Sequence, residues 1–315
     1  IFLLATPATA QKHDDGTLRI LAIGNSFSDD GMEHLPALLE NLGVKNVELA
    51  RLYVGGCTLQ QHVGFHDRKE SSYIFYHSKA GENRWTQQHP VSMQHALAMG
   101  KWDIITLQQA SGVSGIYDSY TPYLGKLIEI VKAAQPQAEV VWHMTWAYST
   151  NSQHGEFPNY DRDQQKMYDA ITDCVHRMLK EYDCFEKIIP SGTAIQSLRL
   201  SEINNSPKDF TRDGYHMDYY IGRYIVGLTW YAAITGGSVD EIKYNPSTGK
   251  ITDDMLRAAK EAVKEAIKTP LAVTQSTVTE GKRPEGDAPV EDPSIKLDPA
   301  DFIEADTALA AQNSI

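Results

Sequence analysis

The chain has 315 residues, 42% of them apolar and 22% charged, which suits a soluble globular protein, either one α/β domain of roughly 250 residues with a tail or two small domains. Its formal net charge of −12 argues against nucleic acid or an anionic membrane as the main partner. A neutral or weakly charged substrate fits better.

Residues 1–10, IFLLATPATA, read as the end of a secretory leader: an apolar stretch runs into the small-x-small pattern Ala8-Thr9-Ala10 before polar Gln11-Lys12-His13. An exported protein, periplasmic or secreted, is expected. No other apolar run is long enough to span a bilayer. LRILAIG (18–24) is a continuous apolar run, as expected of a strand buried on both faces. MEHLPALLENLG (32–43) follows as an amphipathic helix with Gly43 as its stop. Between them, Asp29 and Asp30 read as solvated acids or N-caps of that helix. VELARLYV (47–54) is a second strand, ending in Gly55-Gly56.

The interval 57–100 breaks the alternation. Its YIFYHSKAGENRW (73–85) reads as a hairpin around Lys79–Asn83, inserted beside a cleft. Strands then recur at 102–108, 138–146 and 186–190, with helices at about 119–134, 161–182, 193–200, 219–236 and 251–268. This alternation implies a parallel five-stranded sheet between two helical layers, a three-layer α/β/α flavodoxin-like sandwich over about residues 18–270. From 275 to 315 the composition turns acidic and rich in Pro, Ser and Thr, the mark of a tail, with a weak helical pattern at 299–312.

Three cysteines, Cys57, Cys174 and Cys184, cannot form a fully paired set within one chain, and whether Cys174 joins Cys184 stays open. No CxxC or HExxH spacing exists, so no structural or catalytic zinc site is expected.

Chemistry concentrates in a few blocks. The first strand stops in Gly24-Asn25-Ser26-Phe27-Ser28, and a serine there sits where open α/β sheets place their sites. A serine is a weak nucleophile without a base in reach and a group to orient that base. Asp213-Gly214-Tyr215-His216 offers both: at this spacing one turn brings the carboxylate to Nδ1 and leaves Nε2 for the serine.

These blocks resemble the SGNH (GDSL-type) hydrolases, over roughly residues 18–270. In that family a Gly-Asp-Ser turn carries the nucleophile, and here Asn25 replaces the Asp. The family's second block, a glycine after the second strand, is matched by Gly55-Gly56-Cys57-Thr58. Its last, Asp-x-x-His, is matched by Asp213–His216. The third departs: Leu107-Gln108-Gln109-Ala110-Ser111 stands where the family has Gly-x-Asn-Asp.

The resemblance implies an esterase acting through an acyl-enzyme on Ser26, with His216 as base and Asp213 orienting it, and this chemistry needs no metal or organic cofactor. An oxyanion hole would be formed by the N–H groups of Ser26 and Gly56 and a glutamine amide. Strand register favours Gln109 for that amide, with Gln108 facing the other way, though the choice between the two is open. His143, Trp146 and Tyr148 are candidates to stack on substrate, with a core role as the alternative. The expected substrate is a small acylated molecule, a short acyl or acetyl ester of a carbohydrate. A lipid or thioester hydrolase with the same triad, or a non-catalytic glycan-binding protein on the same fold, is the competing reading.

Overall fold

The computed structural model describes residues 15–247 and 249–278 and the backbone of 302–304. In chain order the elements are β1 (Leu18–Gly24), α1 (Ser26–Met32), α2 (Leu35–Asn41), β2 (Val47–Tyr53), α3 (Leu59–Asp67), β3 (Tyr73–Ser78), β4 (Thr86–Val91), α4 (Met93–Ala98) and β5 (Ile104–Leu107). They continue with α5 (Tyr123–Ala134), β6 (Glu139–His143), α6 (Gln164–Glu181), β7 (Ile188–Ile189), α7 (Ser191–Arg199), α8 (Ile221–Thr235), α9 (Asp253–Lys268) and β8 (Phe302–Glu304).

One sheet joins the strands in the order β7-β6-β5-β1-β2-β3-β4-β8. The first five in that order run parallel and correspond to the five strands expected from the apolar runs. Their residues are buried almost throughout, because helices cover both faces: α1, α2, α7, α8 and α9 pack together on one side, and α3, α4 and α5 on the other.

The hairpin is present, but it extends the sheet rather than standing beside a cleft. β3 pairs antiparallel with β2 and β4 with β3. Its position brings Tyr76 and Trp85 over the buried guanidinium of Arg51, 4.5 and 4.2 Å from the ring centroids, where a desolvated cation gains most from aromatic faces. Arg51 also meets Glu33 at 2.9 Å and Asp29 at 3.2 Å.

Three short helices go beyond the periodicity reading, and each has a local cause. Asn25 caps α1 by accepting from the Phe27 N–H. Thr58 and Gln61 form a capping box at α3, and Ser92 caps α4. All three caps are legible as Ser/Thr/Asn at helix starts.

The expected leader and most of the tail lie outside the described residues. What is described of the tail docks. Ser276 and Thr277 donate to the Glu261 carboxylate at 2.6 and 2.5 Å, and Gln275 donates to the Leu200 carbonyl. Phe302–Glu304 is a strand parallel to β4, not part of a helix: β4 offers a row of unpaired backbone groups that a strand satisfies and a helix does not.

Candidate active site

The loops after β1, β2, β5 and β6 and the loop before α8 gather at the C-terminal edge of the parallel strands, where such sheets bind ligands. Ser26 is the first residue of α1, not a turn residue. Gly24 permits this tight exit, since a Cβ there would lie 2.3 Å from Ser28 Oγ and 2.9 Å from Gln108 Oε1.

The structure brings Ser26, His216 and Asp213 together. Ser26 Oγ lies 2.8 Å from His216 Nε2, and His216 Nδ1 lies 2.6 Å from Asp213 Oδ2. Asp213 Oδ1 accepts from the backbone N–H groups of Tyr215 and His216, which winds the four residues into a closed turn. Burial raises the Asp213 carboxyl, but the hydrogen bond and charge of His216 and those two N–H groups outweigh it and hold it below the usual carboxylate range. A carboxylate of this kind fixes the imidazole tautomer and balances its cation.

Among the described residues, two backbone N–H groups in the turns that follow β1 and β2 are left unengaged. The first N–H groups of a helix have no intrahelical partner. Asn25 takes up that of Phe27, and the Ser26 N–H makes no hydrogen bond among the described residues. Gly56 is exposed, with φ +62° and its N–H likewise unengaged.

Gln109 does not provide the expected third donor. Its Nε2 has two N–H groups, and they meet Ser119 O and Ser119 Oγ, each at 3.0 Å. Its Oε1 accepts from the N–H groups of Leu59 and Ala110. Gln108 is the glutamine that faces the nucleophile turn: its Nε2 donates to Asn25 Oδ1 at 2.8 Å, and its Oε1 accepts from Ser28 Oγ at 2.5 Å. Asn25 Nδ2 in turn donates to Cys57 O at 3.2 Å, so the Ser26 and Gly56 turns are tied together. The glutamine that meets this turn is therefore Gln108, and its amide is taken up by Asn25.

His143, Trp146 and Tyr148 are fully buried and offer no face for stacking on a substrate. They lie beneath the site instead. Trp230 Nε1, which can only donate, is 3.2 Å from His143 Nε2, so His143 Nδ1 carries the proton and donates to Gln108 Oε1 at 3.0 Å. Burial pushes the His143 imidazole down to about 3, so it stays neutral. Tyr148 Oη shares a hydrogen bond with Ser111 Oγ at 3.0 Å. The partly exposed Tyr215 ring lies beside His216, with centroids 4.3 Å apart, and the partly exposed His154 ring packs on Tyr215 at 4.7 Å.

Asp29 and Asp30 are not solvated acids, and neither caps the following helix. Asp30 is fully buried; its Oδ1 is 2.8 Å from Arg223 Nε and 3.0 Å from Arg212 Nη1. The signal was present: Arg223 is the only charged residue in the apolar run 219–236, and a buried charge needs a partner. Cys57 and Cys174 are buried, Cys184 is partly exposed, and all three are unpaired thiols. Among the described residues, no three His, Cys, Asp or Glu side chains converge to hold a metal, and no helix is long and apolar enough to cross a membrane.

The family model described as "Domain of unknown function (DUF4886)" matches residues 19–266. A crystal structure of a DUF4886 family protein from Bacteroides uniformis is 39% identical, covers 84% of this chain and 100% of its own, and superposes with a TM-score of 0.78. An acetyl-xylooligosaccharide esterase from Geobacillus, solved as a mutant, is 14% identical over 69% of this chain and 94% of its own, with a TM-score of 0.43. No curated protein matches the chain.

Proposed function

The chain belongs to the DUF4886 family, and we propose that it is a serine esterase working through an acyl-enzyme on Ser26. One observation carries this reading: the unbroken line from Ser26 Oγ to His216 Nε2 (2.8 Å) and from His216 Nδ1 to Asp213 Oδ2 (2.6 Å). A partly exposed serine, a base within hydrogen-bond reach and a carboxylate behind the base are the three parts that acyl transfer needs.

As Ser26 Oγ attacks the ester carbonyl carbon, its proton passes to His216 Nε2. The oxyanion is met by the N–H groups of Ser26 and Gly56, each worth about 3 kcal/mol of barrier. His216 then protonates the departing alkoxide, and water, activated by the same imidazole, releases the acid. No step needs a cofactor.

The proposed substrate is a short acyl ester, such as an acetyl group, of a carbohydrate alcohol met outside the cell. The partly exposed Tyr215 ring beside His216, with His154 packed on it, supplies the aromatic wall for the alcohol, in place of the three buried rings. The test is a screen of nitrophenyl esters of increasing chain length alongside acetylated sugars, with fluorophosphonate labelling of Ser26. Turnover of short esters that is lost in Ser26→Ala supports the reading. A preference for long acyl chains or thioesters points to a lipid or thioester hydrolase. No turnover and no labelling removes catalysis, leaving a glycan-binding protein.

A further inference from the structure

We propose that Asp30 is a positioning residue that holds the Asp213–His216 loop in register with Ser26. The proposal rests on the esterase reading above and adds a group that reaches neither substrate nor the reacting atoms.

Ser26 and Asp30 are four residues apart on α1, so both lie on one helical face. That face meets the same loop twice. Ser26 Oγ meets His216 Nε2. One turn on, Asp30 Oδ2 accepts from the N–H of Met217, the residue after His216, at 2.8 Å. Asp30 Oδ1 takes Arg212 Nη1, the residue before Asp213, at 3.0 Å. One carboxylate thus grips both ends of the loop that carries the acid and the base.

The loop is closed across its own base: Arg212 N–H donates to His216 O at 3.0 Å, Thr211 bridges Met217, and the Arg212 guanidinium also reaches Met217 O. It therefore moves as a unit, and its docking on α1 sets the distance from His216 to Ser26. Arg223 on α8, 2.8 Å from Asp30 Oδ1, keeps the carboxylate charged where burial alone would favour its neutral form. Burial raises the Asp30 carboxyl, but the charges of Arg223, Arg212 and His216 and the Arg223 hydrogen bond outweigh it and hold it below its ordinary range. A misplacement of about 1 Å can cost roughly 10²-fold in rate, so a clamp of this kind acts on kcat.

The experiment is steady-state kinetics of Asp30→Asn on a short nitrophenyl ester, with near-ultraviolet circular dichroism and the low-field imidazole proton signal of the His216–Asp213 hydrogen bond. Asparagine fits the space and can still accept from Met217, but it removes the negative charge that Arg212 and Arg223 meet at this position. The expected result is kcat lower by about 30-fold or more, KM within about threefold, and the low-field signal lost from a folded protein. A folded Asp30→Asn with kcat within about threefold of wild type overturns the proposal. If Asp30→Asn does not fold, Arg212→Gln replaces it: Arg223 still neutralises Asp30 and Met217 still donates to it, the Arg212 end of the loop is released, and a smaller fall in kcat with the same split is expected, with an unchanged kcat overturning the idea. If the wild type hydrolyses no ester, the esterase reading fails by itself. The proton signal then decides, since its persistence in the variant overturns the clamp.

Discussion

Trp146 lies flat on Phe27, with ring centroids 4.1 Å apart and planes 6° apart, while its indole N–H donates to the Tyr215 carbonyl at 2.7 Å. One buried side chain thus touches the neighbour of Ser26 and the neighbour of His216. Trp146→Phe keeps the stack and loses the hydrogen bond. It is expected to lower kcat by about tenfold with KM nearly unchanged, whereas Trp146→Ala opens a cavity and costs about 3–5 kcal/mol in denaturant unfolding. A kcat for Trp146→Phe equal to wild type would show that the indole N–H has no separate role.

If Ser26 and His216 act as a unit, their losses do not add. Ser26→Ala and His216→Ala are each expected to lower kcat by roughly 10⁴ or more, with the double variant little worse than either. Near-normal hydrolysis by Ser26→Ala would remove the nucleophile assignment.

Gln109 and Asn25 should separate cleanly. Gln109→Ala strands the buried N–H groups of Leu59 and Ala110, so it is expected to cost about 1–3 kcal/mol of stability and leave kcat within a few-fold. Asn25→Asp sets a carboxylate oxygen against the Cys57 carbonyl that Asn25 Nδ2 now reaches at 3.2 Å. A fall in kcat of about tenfold or more is expected. An unchanged rate would show that the tie between the two turns is dispensable.

Acid should destabilise the fold before the ordinary carboxylates titrate. Burial pushes both His62 and His143 down to about 3. Between pH 3 and about 6.5 the unfolded chain then binds more protons at these two sites, and stability falls as pH falls. Asp29 acts oppositely: burial raises it to about 7, so the folded state holds its proton across much of the same window. Two groups against one leave a net loss of about 2 kcal/mol from pH 6.5 to pH 5, at about 1.4 kcal/mol per unit. Asp29→Asn removes the opposing group and should roughly double that loss. Unfolding at the two pH values checks both, and a flat profile would mean that the histidines are not held neutral.

The stretch after α9 is anchored by Glu261. Glu261→Ala removes the acceptor for Ser276 and Thr277 and is expected to lower Tm by about 2–4 °C, the effect of about 1 kcal/mol in a domain of this size. Glu261→Gln, which still accepts, should fall between. An unchanged Tm in the alanine variant would show that the stretch can detach without cost.

Much of the fold was legible in the chain itself. A strand buried on both faces must be apolar throughout, so β1, β2, β5, β6 and β7 show as local runs, and an amphipathic helix carries its own period. Asp213, Gly214, Tyr215 and His216 are neighbours in sequence, so the loop that supports the base is nearly a local object. Other features depended on partners far along the chain. Asp30 meets Arg212 and Arg223, 182 and 193 residues away, and nothing beside it in sequence distinguishes a clamped carboxylate from a solvated one. Gln108 and Gln109 are adjacent and alike, and which amide faces Asn25 turns on the path of the chain as it leaves β5, set by packing against α3 and the 111–119 segment. His143, Trp146 and Tyr148 end an apolar strand, and only the placement of α8 and of the loop before it decides that they support the site from within. Local patterning fixes secondary structure because backbone sterics and burial period act over a few residues; side-chain partners in a sandwich are set by contacts between segments that the sequence does not place side by side.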